Sequence, residues 1–184
     1  MQEKIKTQFT LSGIEFSYIT AEDLPDLIRM LAKETVCEYV FFGPNSKEDT
    51  KAYFQPVIDE VTEALANGEL PNQHVFILKK DGVMIGNCGI MPVPFSEGNF
   101  LIGYTIDEPF WRKGYGDIAC QFIVDYGFST LKAYRLTGDC MGDNIGSRKI
   151  MEKNGFVLEG CQKKYWHKNG MYHDNLLFGL YSNK

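Results

Sequence analysis

Three consecutive strand-like runs in the middle of the chain set the strongest limit on its fold. Residues 74–80 and 83–91 are rich in β-branched and apolar side chains, and only Asp81-Gly82 separates them. An Asp-Gly pair between two such runs is typical of a tight β-hairpin. A third run covers residues 100–106. The centre of the chain is therefore predicted to be a sheet, whose apolar faces must be covered by other elements.

Two amphipathic helices are predicted before this sheet. Thr20 opens a capping-box pattern, and apolar residues then recur at helical spacing over residues 24–31. Ser46 opens a second capping box ahead of a longer helical stretch that Asn67-Gly68 ends. Pro56 lies inside this stretch and predicts a kink.

The rest of the chain continues the alternation of strands and helices. The predicted strands cover residues 15–19, 134–139 and 176–181, with another beginning at residues 156–158; the predicted helices cover residues 118–126 and 147–154. Asn169-Gly170 is a type I′ hairpin signal before the last strand. The pattern predicts a mixed α/β fold. At 184 residues, with no linker or repeat visible, residues 1–184 are expected to form one domain.

Composition narrows the classes of partner. The 24 acidic and 19 basic side chains give a net charge of -5, which argues against a broad nucleic-acid surface and favours a cationic partner. The five cysteines are odd in number and widely spaced, so a disulfide framework is not expected. The first residues lack the apolar core of a signal peptide, and no apolar run approaches the ~20 residues of a membrane span. A cytoplasmic protein without a membrane partner is expected.

One loop, residues 107–117, carries the functional argument. It joins the strand ending at Ile106 to the start of a helix, and Gly114 and Gly116 allow its backbone to approach a ligand closely. The first turn of a helix leaves amide donors unpaired and carries about half a positive charge, so a pyrophosphate fits there. Arg112 and Lys113 add positive charge.

Two other interpretations of this loop are weaker. The glycines could simply permit a tight turn. Residues 114–119 also match the dinucleotide pattern Gly-x-Gly-x-x-Ala, but seven residues separate Ile106 from Gly114, whereas a dinucleotide turn follows its strand almost directly. A P-loop is excluded because Gly-Lys-Ser/Thr is absent.

With the motifs that follow it, this loop resembles the GNAT acetyltransferases. Those motifs are Asn144-Ile-Gly-Ser147 and Lys153-Asn-Gly-Phe156. Gly103-Tyr104, Phe110-Trp111, Leu158-Glu159-Gly160 and Tyr172-His173-Asp174 are similar to the group that includes the ribosomal-protein N-terminal acetyltransferases. The resemblance runs from about Phe16 to the C-terminus. It implies a mixed, mostly antiparallel central sheet flanked by helices, and an enzyme that moves an acetyl group from acetyl-coenzyme A to a primary amine.

The resemblance also implies the site residues. Backbone groups of Tyr104, Thr105 and Ile106 would pair with the pantetheine arm, and the Tyr104 amide would face the thioester oxygen and stabilise the transition state. The pyrophosphate would lie on the amides from Arg112 to Asp117. The full cofactor-binding set is Tyr104, Thr105, Ile106, Arg112, Lys113, Gly114, Tyr115, Gly116, Asp117, Asn144, Ser147 and Lys153.

Two departures from the general family pattern bear on catalysis. Trp111 stands where many members carry Gln or Arg, and Met151 stands where many carry the tyrosine that protonates the departing thiolate. Ser147 becomes the candidate acid, although it could equally cap the helix that follows it. Tyr104 is the second catalytic candidate, through its backbone amide.

No general base stands out, although an acceptor amine must lose a proton to attack. The resemblance would put a carboxylate on the strand after Leu158-Glu-Gly in some members, but Trp166 occupies that position. The remaining candidates are Glu159, Asp107, His173 and Asp174.

The acceptor is a protein N-terminus or a small-molecule amine, and homodimerisation is a further expectation. Tyr39, Phe41, Phe42 and Trp166 either line an acceptor pocket or belong to the core.

No metal is expected, because Cys161, His167 and His173 match no standard zinc spacing. The cysteines lie outside the matched motifs, so direct transfer is expected. The alternatives are a catalytically weak acyl-coenzyme A sensor or interaction module, and a nicotinamide dinucleotide-binding protein.

Overall fold

A computed structural model describes residues 5–182 and contains one continuous eight-stranded sheet. The strand order is β1-β2-β3-β4-β5-β6-β8-β7, and every neighbouring pair is antiparallel except β5 and β6. The strands are β1 Gln8–Leu11, β2 Ile14–Tyr18, β3 His74–Lys80, β4 Val83–Pro92, β5 Asn99–Ile106, β6 Arg135–Met141, β7 Val157–Lys168 and β8 Met171–Tyr181. The predicted mixed, mostly antiparallel sheet flanked by helices is confirmed.

In the described part of the chain, five α-helices accompany the sheet: α1 Leu24–Leu31, α2 Glu34–Cys37, α3 Lys47–Ala66, α4 Tyr115–Ser129 and α5 Ile145–Lys153. The capping box at Ser46 is present, and α3 continues through Pro56 as one helix. The sequence does not predict β1 or the four-residue α2, because both are too short to show a period. No helix in residues 5–182 is long and apolar enough to span a membrane.

Aromatic packing ties α4 to the sheet and so fixes the loop that precedes it. Phe122 on α4 stacks on Phe16 of β2, with ring centroids 4.0 Å apart. The Tyr126 and Tyr18 hydroxyls lie 2.6 Å apart, and each lies within hydrogen-bonding distance of Nδ1 of buried His74. Burial lowers the pKa of His74 to about 4, so this polar cluster is neutral at physiological pH.

The sheet opens between β5 and β6. Only three residue pairs, from Asn99–Arg135 to Leu101–Thr137, join these parallel strands. Beyond Leu101, β5 continues to pair with β4 as far as Ile106, whereas β6 continues to pair with β8 as far as Met141. The two strands therefore diverge and leave a cleft in the middle of the sheet.

Candidate active site

The open edge of β5 presents backbone groups of two of the three predicted residues. The amide of Asp107 donates to the carbonyl of Ile85 at 2.9 Å, which makes these residues a hydrogen-bonded pair of the β4–β5 ladder. Because such pairs alternate along antiparallel strands, Thr105 turns its backbone towards β4, while Tyr104 and Ile106 turn theirs towards the cleft. The prediction that Thr105 pairs with a ligand through its backbone therefore differs from the observed register.

The side chains of Tyr104 and Ser147 meet across the cleft. The Tyr104 hydroxyl lies 3.1 Å from Ser147 Oγ and donates to the Ser147 carbonyl at 3.3 Å. Burial raises the pKa of Tyr104 well above its ordinary value, and the hydrogen bond to Ser147 only partly offsets this. Tyr104 therefore remains protonated, and its hydroxyl can hold Ser147 in place.

Ser147 does not cap its helix. Asn144 is the N-cap of α5, and its Oδ1 accepts a hydrogen bond from the Ser147 amide at 3.0 Å. The helix begins at Ile145, two residues before the predicted start. The capping role considered for Ser147 is therefore filled by Asn144, and the serine hydroxyl is left to face the cleft.

The loop after β5 is anchored at its first residue. Asp107 is almost fully buried and accepts hydrogen bonds from Lys33 at 2.6 Å and Arg29 at 2.7 Å, both on the α1 side. It also accepts from the Glu108 amide at 2.9 Å. Burial alone would raise the pKa of Asp107, but the two cations outweigh it and the pKa is lowered. Asp107 is thus a structural anchor, which removes it from the candidate bases.

Beyond this anchor lies a run of free amide donors. The hydrogen bonds found within residues 5–182 include none donated by the backbone amides of residues 112–117. Arg112 has φ 59° and Gly114 has φ 83°, so the chain twice enters the left-handed region and curls before α4. Such a curl at a helix N-terminus forms a concave anion site.

The two glycines of this loop have different roles. Gly114 supplies the left-handed conformation at the N-cap of α4, and a Cβ there would meet nothing within 4 Å. Gly116 has ordinary φ, but a Cβ there would lie 2.8 Å from Cδ1 of Ile150. Gly116 therefore allows α4 and α5 to pack closely. Lys153 on α5 pairs with Asp117 at 2.5 Å across the same contact.

Trp111 closes the loop back onto β5. Its indole Nε1 donates to the Ile106 carbonyl at 2.6 Å, so this carbonyl of the open edge already has a partner. Within the described chain, the cleft-facing backbone groups of residues 104–106 that have no partner are the Tyr104 amide and carbonyl and the Ile106 amide.

A cavity of about 490 Å³ lies at the inner end of the cleft. Tyr104, Asn144 and Ser147 line it, together with the aromatic residues Tyr39, Phe41, Phe42, Tyr53 and Phe54. The aromatic residues predicted at positions 39–42 therefore face the cavity. Trp166 does not line it but stacks behind Phe41, with ring centroids 4.1 Å apart.

Asp139 contributes a carboxylate to this cavity and was not among the candidate bases predicted from the sequence. It lies on β6 beside Cys140, and both residues line the cavity. Burial raises the pKa of Asp139, partly offset by a hydrogen bond from Asn175 Nδ2 at 3.3 Å. The signal in the sequence was an acidic residue within the otherwise apolar end of a strand.

The other three candidate bases are engaged outside the cavity. Glu159 pairs with Arg135 and accepts from Tyr181, which lowers its pKa. Asp174 accepts from Lys163 and from the Lys164 amide, which lowers its pKa. His173 lies 2.7 Å from Asp143. None of the three contributes to the cavity lining.

Comparison with known proteins identifies the family. The profile of the acetyltransferase (GNAT) domain matches residues 14–157, most of the chain. The chain belongs to the GNAT acetyltransferase family. The uncharacterized N-acetyltransferase p20 of Bacillus licheniformis is 30% identical over 109 residues, 59% of this chain and 61% of that protein. The chain thus spans about three fifths of that relative.

Two other relatives fit the narrower resemblance. YnaD of Bacillus subtilis (strain 168), an uncharacterized N-acetyltransferase, is 27% identical over 145 residues, 79% of each chain. The ribosomal-protein-serine acetyltransferase of Escherichia coli (strain K12) is 28% identical over 104 residues, 56% of this chain and 58% of that protein. The predicted resemblance to the GNAT family, including its ribosomal-protein-modifying members, is confirmed.

Solved GNAT structures show the same fold. RimL, a ribosomal L7/L12 α-N-protein acetyltransferase in complex with coenzyme A, superposes with a TM-score of 0.79 at 20% identity, over 93% of this chain and 95% of that one. Spermidine N-acetyltransferase from Vibrio cholerae, in complex with coenzyme A and spermine, gives 0.80 at 17% identity over 95% and 98%. The free amides of residues 112–117 form a donor set that suits the pyrophosphate of coenzyme A.

Proposed function

We propose that this GNAT protein transfers an acetyl group from acetyl-coenzyme A directly to a primary amine carried on an apolar group. One observation carries the proposal. Tyr104 with its open backbone edge, Ser147 and Asp139 line the same cavity, and five further aromatic residues line it with them. A thioester oxygen, a leaving sulfur and an attacking amine could each meet a matching group there.

The coenzyme would be held mostly by backbone. The amides of residues 112–117 would bind the pyrophosphate, with positive charge from Arg112 and Lys113 and from the N-terminus of α4. The pantetheine arm would run along the β5 edge, where the Tyr104 amide and carbonyl point into the cleft. Asn144 and Ser147 would contact it from α5, while Lys153 would act through Asp117.

The Tyr104 amide would stabilise the transition state. Attack of a neutral amine on the acetyl carbonyl forms the C–N bond and places negative charge on the carbonyl oxygen before the C–S bond breaks. A fixed N–H donor at that oxygen favours the transition state over the ground state. Because this donor is part of a paired strand, it is already in position before the substrate binds.

Asp139 and Ser147 would move the protons. The acceptor amine has a pKa of roughly 8 to 10.4 and arrives protonated, so a buried carboxylate with a raised pKa is suited to take its proton. Ser147, positioned by Tyr104, would donate to the departing thiolate. Burial raises the pKa of Cys140 to about 11, which keeps this neighbouring thiol protonated and disfavours a covalent cysteine intermediate.

The lining of the acceptor end favours an apolar substituent on the amine. Phe41, Phe42 and Phe54 line this part of the cavity, and Asp49 and Asp139 are its carboxylates. An apolar substituent on the amine gains binding free energy when its surface is buried against these aromatic side chains. A long polyamine would instead have to lose the hydration of its additional charged groups there. A peptide α-amine with an apolar first residue and an arylalkylamine both meet this description.

Thiol release tests the proposal. The protein is incubated with acetyl-coenzyme A and peptides beginning with Phe, Leu, Asp or Lys, an arylalkylamine and a polyamine. We expect release above background, with the highest kcat/KM for amines on apolar groups. Thermal shift with acetyl-coenzyme A and with a nicotinamide dinucleotide runs in parallel. Stabilisation by acetyl-coenzyme A with no release across the panel would favour the sensor alternative, and stabilisation by the dinucleotide alone would overturn the cofactor assignment.

A further inference from the structure

Lys168 makes an unusual set of contacts at the end of the β7–β8 hairpin. Its ammonium group donates to three backbone carbonyls, those of Cys37 at 2.5 Å, Val40 at 2.8 Å and Phe42 at 3.0 Å. These carbonyls lie 126 to 131 residues away in sequence, one at the last residue of α2 and two in the connection between α2 and α3. One side chain thus fills three acceptors that helix or sheet hydrogen bonds leave free.

Two of these carbonyls belong to the wall segment, which we define as residues 38–42, and the third belongs to the residue just before it. Four of its side chains, Tyr39, Val40, Phe41 and Phe42, line the cavity. Its own backbone bonding is sparse: Glu38 donates to Thr35 at 3.4 Å and Val40 to Cys37 at 3.4 Å, both long contacts. The segment has little regular structure of its own to hold these side chains in place.

Trp166 adds a second contact from the same hairpin. Its indole stacks on Phe41 with an interplanar angle of 19° and does not itself line the cavity. The strand pairing of the hairpin is irregular just before Trp166. Three residues of β7, 163–165, lie opposite the single residue Asp174 of β8, which forms a β-bulge. Asp174 fills that irregularity by accepting from the Lys164 amide at 2.9 Å.

We infer that Lys168 is a positioning residue for the acceptor: it fixes the wall segment and thereby determines which amines bind. This inference rests on the proposed function, since it assigns the acceptor to the cavity that the wall segment encloses. Lys168 touches none of the proposed coenzyme contacts, so its effect should be confined to the acceptor.

Steady-state kinetics on Lys168→Met test this role, with Lys168→Arg as the conservative variant. The control is Lys164→Met, which removes the same charge from an exposed side chain on the same strand. Loss of three charge-assisted hydrogen bonds should raise the acceptor KM about tenfold or more and leave the acetyl-coenzyme A KM unchanged. Arginine should recover part of the loss, because it also donates to carbonyls. The control should match the parent protein.

Limited chymotrypsin digestion gives a readout that does not need turnover. Cleavage after Tyr39, Phe41 or Phe42, followed by mass spectrometry, should be several-fold faster in Lys168→Met than in Lys164→Met or the parent. Equal cleavage rates, or a rise in both KM values together, would overturn the inference. If the parent releases no thiol with any amine, the proposed function fails, and cleavage alone decides whether Lys168 holds the wall segment.

Discussion

The two ends of the cleft are built in different ways. At the coenzyme end, the proposed contacts are backbone groups from one continuous stretch, β5 and the loop after it, joined by the start of α5. At the acceptor end, they are side chains from α3, β6 and the wall segment, which is held in turn by Lys168. A backbone donor is retained when the side chain of its residue is substituted. Coenzyme binding should therefore tolerate most substitutions at its end of the cleft, whereas substitutions at the acceptor end should change which amine binds.

The strongest test of this contrast is Asp139→Asn. If Asp139 accepts the amine proton, the variant should lower kcat/KM for the acceptor by about 10²- to 10⁴-fold at neutral pH. Acetyl-coenzyme A binding, measured by calorimetry, should be unchanged. In the parent, activity should fall as pH decreases through the pKa of Asp139, which burial raises, because the protonated carboxyl cannot accept.

The control for this variant is Asp125→Asn, an exposed carboxylate on α4 outside the cavity. It should retain parental kinetics. Parental activity in Asp139→Asn, or an unchanged acid limb in its pH profile, would show that the proton leaves by another route.

At the coenzyme end, the largest single effect is expected at the loop anchor. Asp107→Asn would leave Lys33 and Arg29 without their buried partner, and we expect a loss of about 2 kcal/mol in unfolding free energy. The acetyl-coenzyme A KM should rise because the loop loses its fixed start. The two cations lower the pKa of Asp107 in the folded protein. Asp107 therefore stabilises the fold fully at pH values above its pKa in the unfolded chain, about 3.9, and this contribution is lost as the pH falls through its pKa in the folded protein.

Chemical denaturation at pH 7 and pH 3 measures this effect, with Asp26→Asn as the matched control because Asp26 also contacts Arg29 but is half exposed. The difference in stability between parent and Asp107→Asn should shrink at the lower pH. An equal loss in Asp26→Asn would mean that the exposed pair, and not the buried anchor, holds the loop.

The sequence predicted the conformation of the loop after β5 because its signals are local. Three signals lie within about a dozen residues: a glycine that must adopt positive φ, a helix start, and the spacing of both from Ile106. In the structure they correspond to the curl at Gly114 and the free amides that follow it. The strand and hairpin signals likewise gave the sheet. The role of Ser147 was harder to judge, although Asn144 three residues earlier was itself a sufficient N-cap signal.

The acceptor end could not be predicted in the same way. Lys168 is 126 residues from Phe42, and nothing in a hairpin lysine indicates three distant carbonyls. Asp139 resembles an ordinary strand residue until the divergence of β5 from β6 opens a cavity beside it. Asp107, Glu159 and Asp174 illustrate the reverse problem: each was a plausible base by residue type, and each is committed to an ion pair that only the tertiary structure reveals.

Ser147→Ala should have a smaller effect than Asp139→Asn. A thiol has a reference pKa of about 8.5, so a thiolate is a fair leaving group near neutral pH and needs little help from an acid. We expect kcat to fall about tenfold with both KM values nearly unchanged, as measured by thiol release. Tyr104→Phe removes the hydroxyl that positions Ser147 but keeps the backbone amide, and it should cost no more than the serine variant. A larger loss in Tyr104→Phe would assign the acid to the tyrosine.

Lys153→Met should have the smallest effect, although the family resemblance assigns this residue to the coenzyme site. Its ammonium pairs with Asp117 and is 71% exposed, and exposed ion pairs contribute about 0–1 kcal/mol. The acetyl-coenzyme A KM should rise no more than about threefold at low ionic strength, and the difference should vanish near 1 M salt, where screening extends over only about 3 Å. A rise of tenfold or more that persists at high salt would mean that Lys153 contacts the coenzyme directly, and the coenzyme end would then depend on side chains as the acceptor end does.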